Sequence, residues 1–249
     1  MLDSGPKRLI SMGIRILFIN AINPFVEVER RYPNLGLGYL VSFLRNNFGQ
    51  NTFNFKIIDN NVKKEILSFD PDIIGITSVS QNYNRAKEYA HFAKIKNIPV
   101  IIGGVHISTL PQSLSNDMTV GCLGEGEKTI LDLFSVFLKK NKFPVEDLVK
   151  IKGIVYKERD KLIVNSSQQQ IENMDEIPLP ARDLLKIDKH SYMFTSRGCP
   201  YNCIFCASTI FWNKVRFFSA EYVIRETEEL VNRYEVKLIS FFDDLFIYC

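Results

Sequence analysis

The chain has 249 residues, 46% hydrophobic and 24% charged, with a net charge of +3. That length buries one large core or two medium ones, and so weak a positive balance predicts neither a nucleic-acid partner nor a membrane surface. The longest apolar runs, such as IRILFIN (14–20), are strand-sized, so no membrane span is expected. The N-terminal stretch MLDSGPKRLISMG has no long apolar core and no small-residue cleavage site, which predicts no secretory signal. A cytoplasmic, reducing setting follows, and five cysteines in such a chain do not suggest a disulfide framework.

From the front, IRILFIN (14–20) reads as a buried strand and NLGLGYLVSFLRNNF (34–48) as a helix. FNFKIID (53–59) is a strand, VKKEILSF (62–69) a short helix, and DIIGITS (72–78) the next strand. NRAKEYAHFAKIKN (84–97) has an amphipathic helical pattern; IPVIIGG (98–104) is a continuous apolar strand closed by two glycines. MTVGCLG (118–124) is a further strand and EKTILDLFSVFLKK (127–140) a helix with an apolar stripe. Apolar strands alternating with helices predict an α/β fold, a doubly wound, flavodoxin-like parallel sheet over residues 1–145. Ligands of such sheets sit at the carboxyl ends of the strands, where ITSVS (76–80), GGVH (103–106) and GEGE (124–127) fall.

Residues 146–187 read as a hairpin, GIVYKERDKLIVNS (153–166), and a linker with two prolines in IPLPARDLL (177–185). A second unit over 188–249 begins with the strand SYMFTS (191–196) and continues through TSRGCPYNCIFCAS (195–208). The helix AEYVIRETEELVNRYE (220–235) and the strand KLISFFDD (237–244) complete a βαβ pattern.

The second unit crowds Cys199, Cys203 and Cys206 into one loop at C-x3-C-x2-C spacing. Three thiolates of one loop each hold a different iron of a four-iron cluster and leave the fourth iron open to a small molecule. Gly198 permits a tight turn, Pro200 stiffens it, and Phe205 is placed to shield the metal. A structural zinc site wants a fourth ligand; the nearest unused candidates, His190 and Cys249, stand at no recognised spacing. A disulfide would use two of the three cysteines and needs an oxidising compartment.

RGCPYNCIFC (197–206) resembles the CxxxCxΦC signature of the radical S-adenosylmethionine (radical SAM) superfamily, with Phe205 as the aromatic. The resemblance implies a 4Fe–4S cluster on the three cysteines, S-adenosylmethionine on its open iron, and a radical that abstracts hydrogen from a substrate. It implies S-adenosylmethionine contacts from Phe205 and from Asp243 and Asp244 at the end of the second strand. An electron donor such as a flavodoxin or ferredoxin is implied as partner. The first strand, loop, helix and second strand match only the front of a partial β/α barrel, which predicts the opening portion of a longer enzyme.

The first half resembles the cobalamin-binding domain fused to many such enzymes, through YPNLGLGYL (32–40), GITSVS (75–80), GGVHIST (103–109) and GEGE (124–127). The implied cobalamin-binding residues are Ser78, Ser80, Gly103, Gly104, His106, Gly124, Glu125 and Gly126. The DxHxxG motif that supplies a lower cobalt ligand in some cobalamin proteins is absent; that loop reads INPFVEVERRYPN (22–34). The function expected from the resemblance is radical modification, such as methylation, of an unknown substrate. Two readings stand beside it: a non-catalytic corrinoid- or nucleotide-binding module, and a methylthiotransferase. The last predicts cluster cysteines in the N-terminal domain, and none precedes Cys122, which reads as a small buried hydrophobe.

Overall fold

A computed structural model describes residues 13–31, 33–212 and 214–247. The N-terminal stretch read for a signal, Tyr32 and Cys249 lie outside the described residues. The chain runs β1 (Ile14–Asn20), α1 (Glu27–Arg30), α2 (Leu35–Phe48), β2 (Phe53–Ile58), α3 (Val62–Phe69), β3 (Ile73–Thr77) and α4 (Tyr83–Ile95). It continues with β4 (Val100–Gly103), α5 (Val105–Thr109), β5 (Val120–Cys122), α6 (Glu127–Lys140) and α7 (Val145–Leu148). Two strands follow, β6 (Ile154–Glu158) and β7 (Lys161–Val164). The second unit holds β8 (His190–Met193), β9 (Ser196–Arg197), α8 (Ser208–Phe211), β10 (Arg216–Phe217), α9 (Ala220–Tyr234) and β11 (Leu238–Phe241).

The first five strands pair in parallel in the order β2-β1-β3-β4-β5, as a doubly wound sheet does. Continuous Ile, Leu and Val runs make strands that bury both faces, and helices cover both. On one face Leu37, Val41 and Leu44 of α2 pack with Ile130, Leu133, Phe134 and Phe137 of α6. On the other, Val62 and Ile66 of α3 meet Ala86, Ala90 and Ala93 of α4. The sheet order reverses at β1, whose neighbours are β2 and β3, so the crevice opens at the carboxyl ends of β1 and β3.

The hairpin expected between the units belongs to the same sheet. β6 pairs antiparallel with β5 and β7 with β6, giving seven strands among the described residues. Gly121 lets the two strands close, since a Cβ there would lie 2.7 Å from Cγ1 of Val155. Arg159 and Asp160 turn the hairpin with φ of 47° and 65°, the left-handed pair that suits the twist of the flanking strands.

In the second unit β11 lies parallel to β8, with α9 as the crossover, as the βαβ pattern predicts. Ser219 caps α9 by accepting from the Tyr222 N–H at 3.1 Å. Among the described residues β11 pairs with β8 alone, and Leu238 and Phe241 on it are exposed. Helix α2 serves both units: its Leu35 and Tyr39 pack with Met174, Ile177, Tyr192, Phe218 and Tyr222. Arg182, fully buried in the connecting segment, donates to Glu226 of α9 at 2.5 Å and to the Tyr192 carbonyl at 2.9 Å. Among the described residues, α1, α5, α7, α8 and the β9–β10 pair answer to no element expected from the sequence.

Gly75 sits at mid-sheet beneath the Phe18 ring, where an added Cβ would lie 2.5 Å from Cδ1 and Cε1 of that ring. Gly75→Ala is expected to destabilise the protein by about 1–3 kcal/mol through overpacking, read as a lower urea midpoint at unchanged slope.

Candidate functional site

The carboxyl ends of β3, β4 and β5 open into a cleft of 290 Å³ that also takes in α2 and the second unit. Thr77, Gly103, Gly104, Gly124 and Gly126 form the sheet side, while Arg197, Trp212 and Asp244 close it from the second unit. A Cβ on Gly103 or Gly124 would meet nothing within 4 Å, so both glycines leave their backbone bare to the cleft. Gly104 adopts φ of +97°, and a Cβ there would lie 2.7 Å from Thr77 Oγ1.

The expected residues divide. Gly103, Gly104, Gly124, Glu125 and Gly126 line the cleft; Ser78, Ser80 and His106 do not. Ser80 Oγ lies 3.0 Å from His106 Nδ1, and the His106 ring stacks on Tyr83 at 3.9 Å between centroids. Burial, helped by Lys87, pulls His106 below the ordinary histidine range, and among the described residues neither its Nε2 nor Ser78 Oγ has a hydrogen-bond partner. GGVH, read as a bend, runs into α5: Gly104 turns the chain, and the Ser108 and Thr109 hydroxyls bond the carbonyls four residues back.

The two aspartates also part. Asp243 accepts from the Thr195 and Ser196 N–H groups at 2.8 and 2.5 Å, and from their hydroxyls at 3.0 and 2.9 Å. Those four bonds tie the end of β11 to the start of β9 and leave it out of the cleft lining. Asp244 lines the cleft and accepts from the Ser208 hydroxyl at the start of α8.

In the cysteine loop Cys203 is exposed, Cys199 and Cys206 are half-buried, and Phe205 is 90% exposed. Among the described residues no three His, Cys, Asp or Glu side chains gather closely enough to hold a metal ion. Thiols are weak hydrogen-bonding groups, so within the polypeptide little draws three of them to one point. The Cys206 N–H bonds the Cys203 carbonyl at 3.0 Å, a single turn that sets the last two cysteines near each other in the chain.

Beneath the loop lies a buried ionic cluster. Arg197 donates to Glu125 at 2.9 Å and to Glu127 at 2.7 Å. Arg216 donates to both Glu125 oxygens, at 2.8 and 2.9 Å, and to the Ile171 carbonyl at 2.6 Å. Trp212 stands over both guanidiniums, 5.7 Å from Arg197 and 5.6 Å from Arg216, and Tyr39 is 5.2 Å from Arg197. Sequence reasoning missed Tyr39, Trp212 and Arg216 and took Arg197 only as a flanking residue; the paired acids of GEGE were the available signal.

Residues 25–134 match the family described as B12 binding domain. The chain is 36% identical over 237 residues to an uncharacterised methyltransferase of Pyrococcus horikoshii, covering 86% of this chain and 49% of that protein. It is 26% identical over 253 residues to the anaerobic magnesium-protoporphyrin IX monomethyl ester cyclase of Rubrivivax gelatinosus, covering 93% and 45%. Part of the chain is thus similar to a B12-binding domain, and most of it is similar in sequence to a methyltransferase and a cyclase. It spans about half the length of these curated relatives. In fold it is similar to the radical S-adenosylmethionine methyltransferase TsrM of Kitasatospora setae, solved with cobalamin and a 4Fe–4S cluster. The TM-score is 0.69 at 16% identity, over 94% of this chain and 48% of that one.

The region matched to the B12-binding domain thus meets the second unit across the Glu125 cluster. Burial raises the Glu125 pKa, but Arg216 and Arg197 outweigh it and hold the carboxyl below the ordinary carboxylate range. Glu226 is the reverse case: burial outweighs Arg182 and its carboxyl sits above that range. Removing Glu125 leaves two buried guanidiniums short of counter-charge, so Glu125→Ala is expected to cost about 3–5 kcal/mol in chemical denaturation.

A carboxyl depressed in the folded state contributes stability above its unfolded value of 4.5 and loses that contribution as the pH falls below it. Between about pH 5 and about pH 3 the melting temperature of wild type should therefore fall more steeply than that of Glu125→Gln. Glu226 contributes with the opposite sign but is present in both proteins, so the difference between the two curves isolates Glu125.

Proposed function

We propose that the chain binds a corrinoid in the strand-end cleft and a 4Fe–4S cluster on Cys199, Cys203 and Cys206, and takes part in radical SAM modification, such as methylation, of a substrate whose identity stays open. One observation carries the reading: Arg197 lines the cleft and stands two residues before Cys199, so one cleft joins both cofactor regions. The fit to a corrinoid rests on the bare backbone at Gly103 and Gly124, which lets a flat macrocycle or its tail approach closely. The fit to the cluster rests on the donor set, three thiols of one loop, with closure of the loop supplied on metal uptake.

When bound, the cluster would supply the electron that cleaves S-adenosylmethionine and the corrinoid would supply methyl-group chemistry. The chain's own residues bind and orient. Asp244 faces the cleft with a carboxylate suited to the cofactor's ammonium, whereas Asp243 holds the strand ends that place it. Phe205 would cover the cluster only after the loop closes. Ser78, Ser80 and His106 stand behind the lining and shape the strand ends. A flavodoxin or ferredoxin would serve as electron donor, in a cytoplasmic setting; among the described residues no helix is long and apolar enough to cross a membrane.

The ungathered sulfurs favour a second reading, a corrinoid- or nucleotide-binding module without catalysis. Anaerobic reconstitution with iron and sulfide separates the two. Wild type is expected to take up about four irons per chain and give a cluster EPR signal after reduction, and the Cys199→Ala, Cys203→Ala, Cys206→Ala triple variant to lose both. Equal iron in the two proteins would sink the cluster assignment. A cluster that never yields 5′-deoxyadenosine from S-adenosylmethionine would favour the second reading.

A further inference from the structure

The cysteine loop, residues 198–215, hangs from a neck formed by β9 and β10. The register of that antiparallel pair sets Arg216 directly opposite Arg197. Like charges facing each other across a strand pair are destabilising, more so here because both arginines are buried. Glu125 lies on both: its two oxygens take three of the guanidinium bonds, and Glu127 takes one more from Arg197. Gly198, at φ of +98°, then passes so close to Lys214 that a Cβ would lie 2.6 Å from the Lys214 carbonyl oxygen.

We propose that Glu125, a residue of the B12-binding domain, is the positioning residue that keeps the neck of the cysteine loop shut, and so sets where Cys199 is presented. The two strands of the neck are too short to hold by their own backbone bonds. The carboxylate between the arginines converts a repulsive pair into an attractive triad. Ligand in the cleft would bear on the same neck, since Gly124, Glu125, Gly126 and Arg197 all line it. This deepens the function proposed above, whose cluster would sit on that loop, but it concerns the polypeptide alone and is tested without metal.

The experiment is iodoacetamide labelling of metal-free protein, with the rate at each cysteine read by peptide mass spectrometry. Cys203 is exposed and reports reagent access; Cys122 is buried, with its thiol pushed up to about 12 by burial, and reports global unfolding. Glu125→Gln is expected to speed labelling of half-buried Cys199 about fivefold or more, with Cys203 unchanged and Cys122, which labels only through global unfolding, remaining far slower than Cys199. Glu127→Gln, which touches Arg197 alone, should give a smaller rise. Adding Arg216→Gln to Glu125→Gln removes the facing charge and should slow Cys199 back toward wild type.

An unchanged Cys199 rate in Glu125→Gln overturns the proposal. So does a Cys122 rate that climbs in step with Cys199 in both single variants, because that makes Glu125 a general stabiliser rather than a clasp on the neck. Iron uptake is scored separately: its failure defeats the cluster assignment, whereas an unmoved Cys199 defeats only the clasp.

Discussion

One carboxylate between two arginines joins the halves of this chain. Glu125 leaves the carboxyl end of β5, enters the second unit, and satisfies guanidinium groups from both strands at the root of the cysteine loop. Burying such charges is costly, and apolar residues of equal volume often serve stability as well. What the ionic arrangement adds is direction. Arg216 meets the carboxylate through a two-pronged contact, Arg197 divides its bonds between two acids, and neither geometry survives a small slip of one unit over the other.

A second buried pair does the same work farther out. Arg182 reaches Glu226 and the Tyr192 carbonyl, fixing the connecting segment, the first strand of the second unit and its crossover helix together. Between the two ionic points runs α2, apolar on both sides, with Leu37 and Leu44 turned to the sheet and Leu35 and Tyr39 to the second unit. The cleft is what these three connections leave open at the strand ends. Its walls are therefore set by packing far from any ligand.

Much of the parallel sheet was legible because fully buried strands leave unbroken apolar runs: IRILFIN coincides with β1, and VKKEILSF with α3. The helices of the second layer were legible from their stripes. What escaped depends on partners distant in sequence. The hairpin over 153–166 carries the same alternation whether it stands alone or joins a sheet, and only the narrowness of Gly121 opposite Val155 settles that it joins β5. The site follows the same rule. Glycines at strand ends mark a cleft, yet Arg216 shows its meaning only across 91 residues of chain, where it meets Glu125. Asp243 and Asp244 are neighbours with one chemistry, and hydrogen bonds to Thr195 and Ser196 alone distinguish the tether from the cleft residue. The cysteine spacing was plain, but the positions of the sulfurs follow from a loop with few internal bonds.

The margins of the two sheets are treated differently. At the outer strands of the large sheet, Lys56 on β2 pairs with Glu65 of α3 at 2.5 Å and Lys161 on β7 is exposed, so charge lies beside both margins. On β11 the corresponding places go to leucine and phenylalanine, with Leu238 57% and Phe241 43% exposed. An apolar margin of that kind accepts a further strand, whereas a charged one resists it.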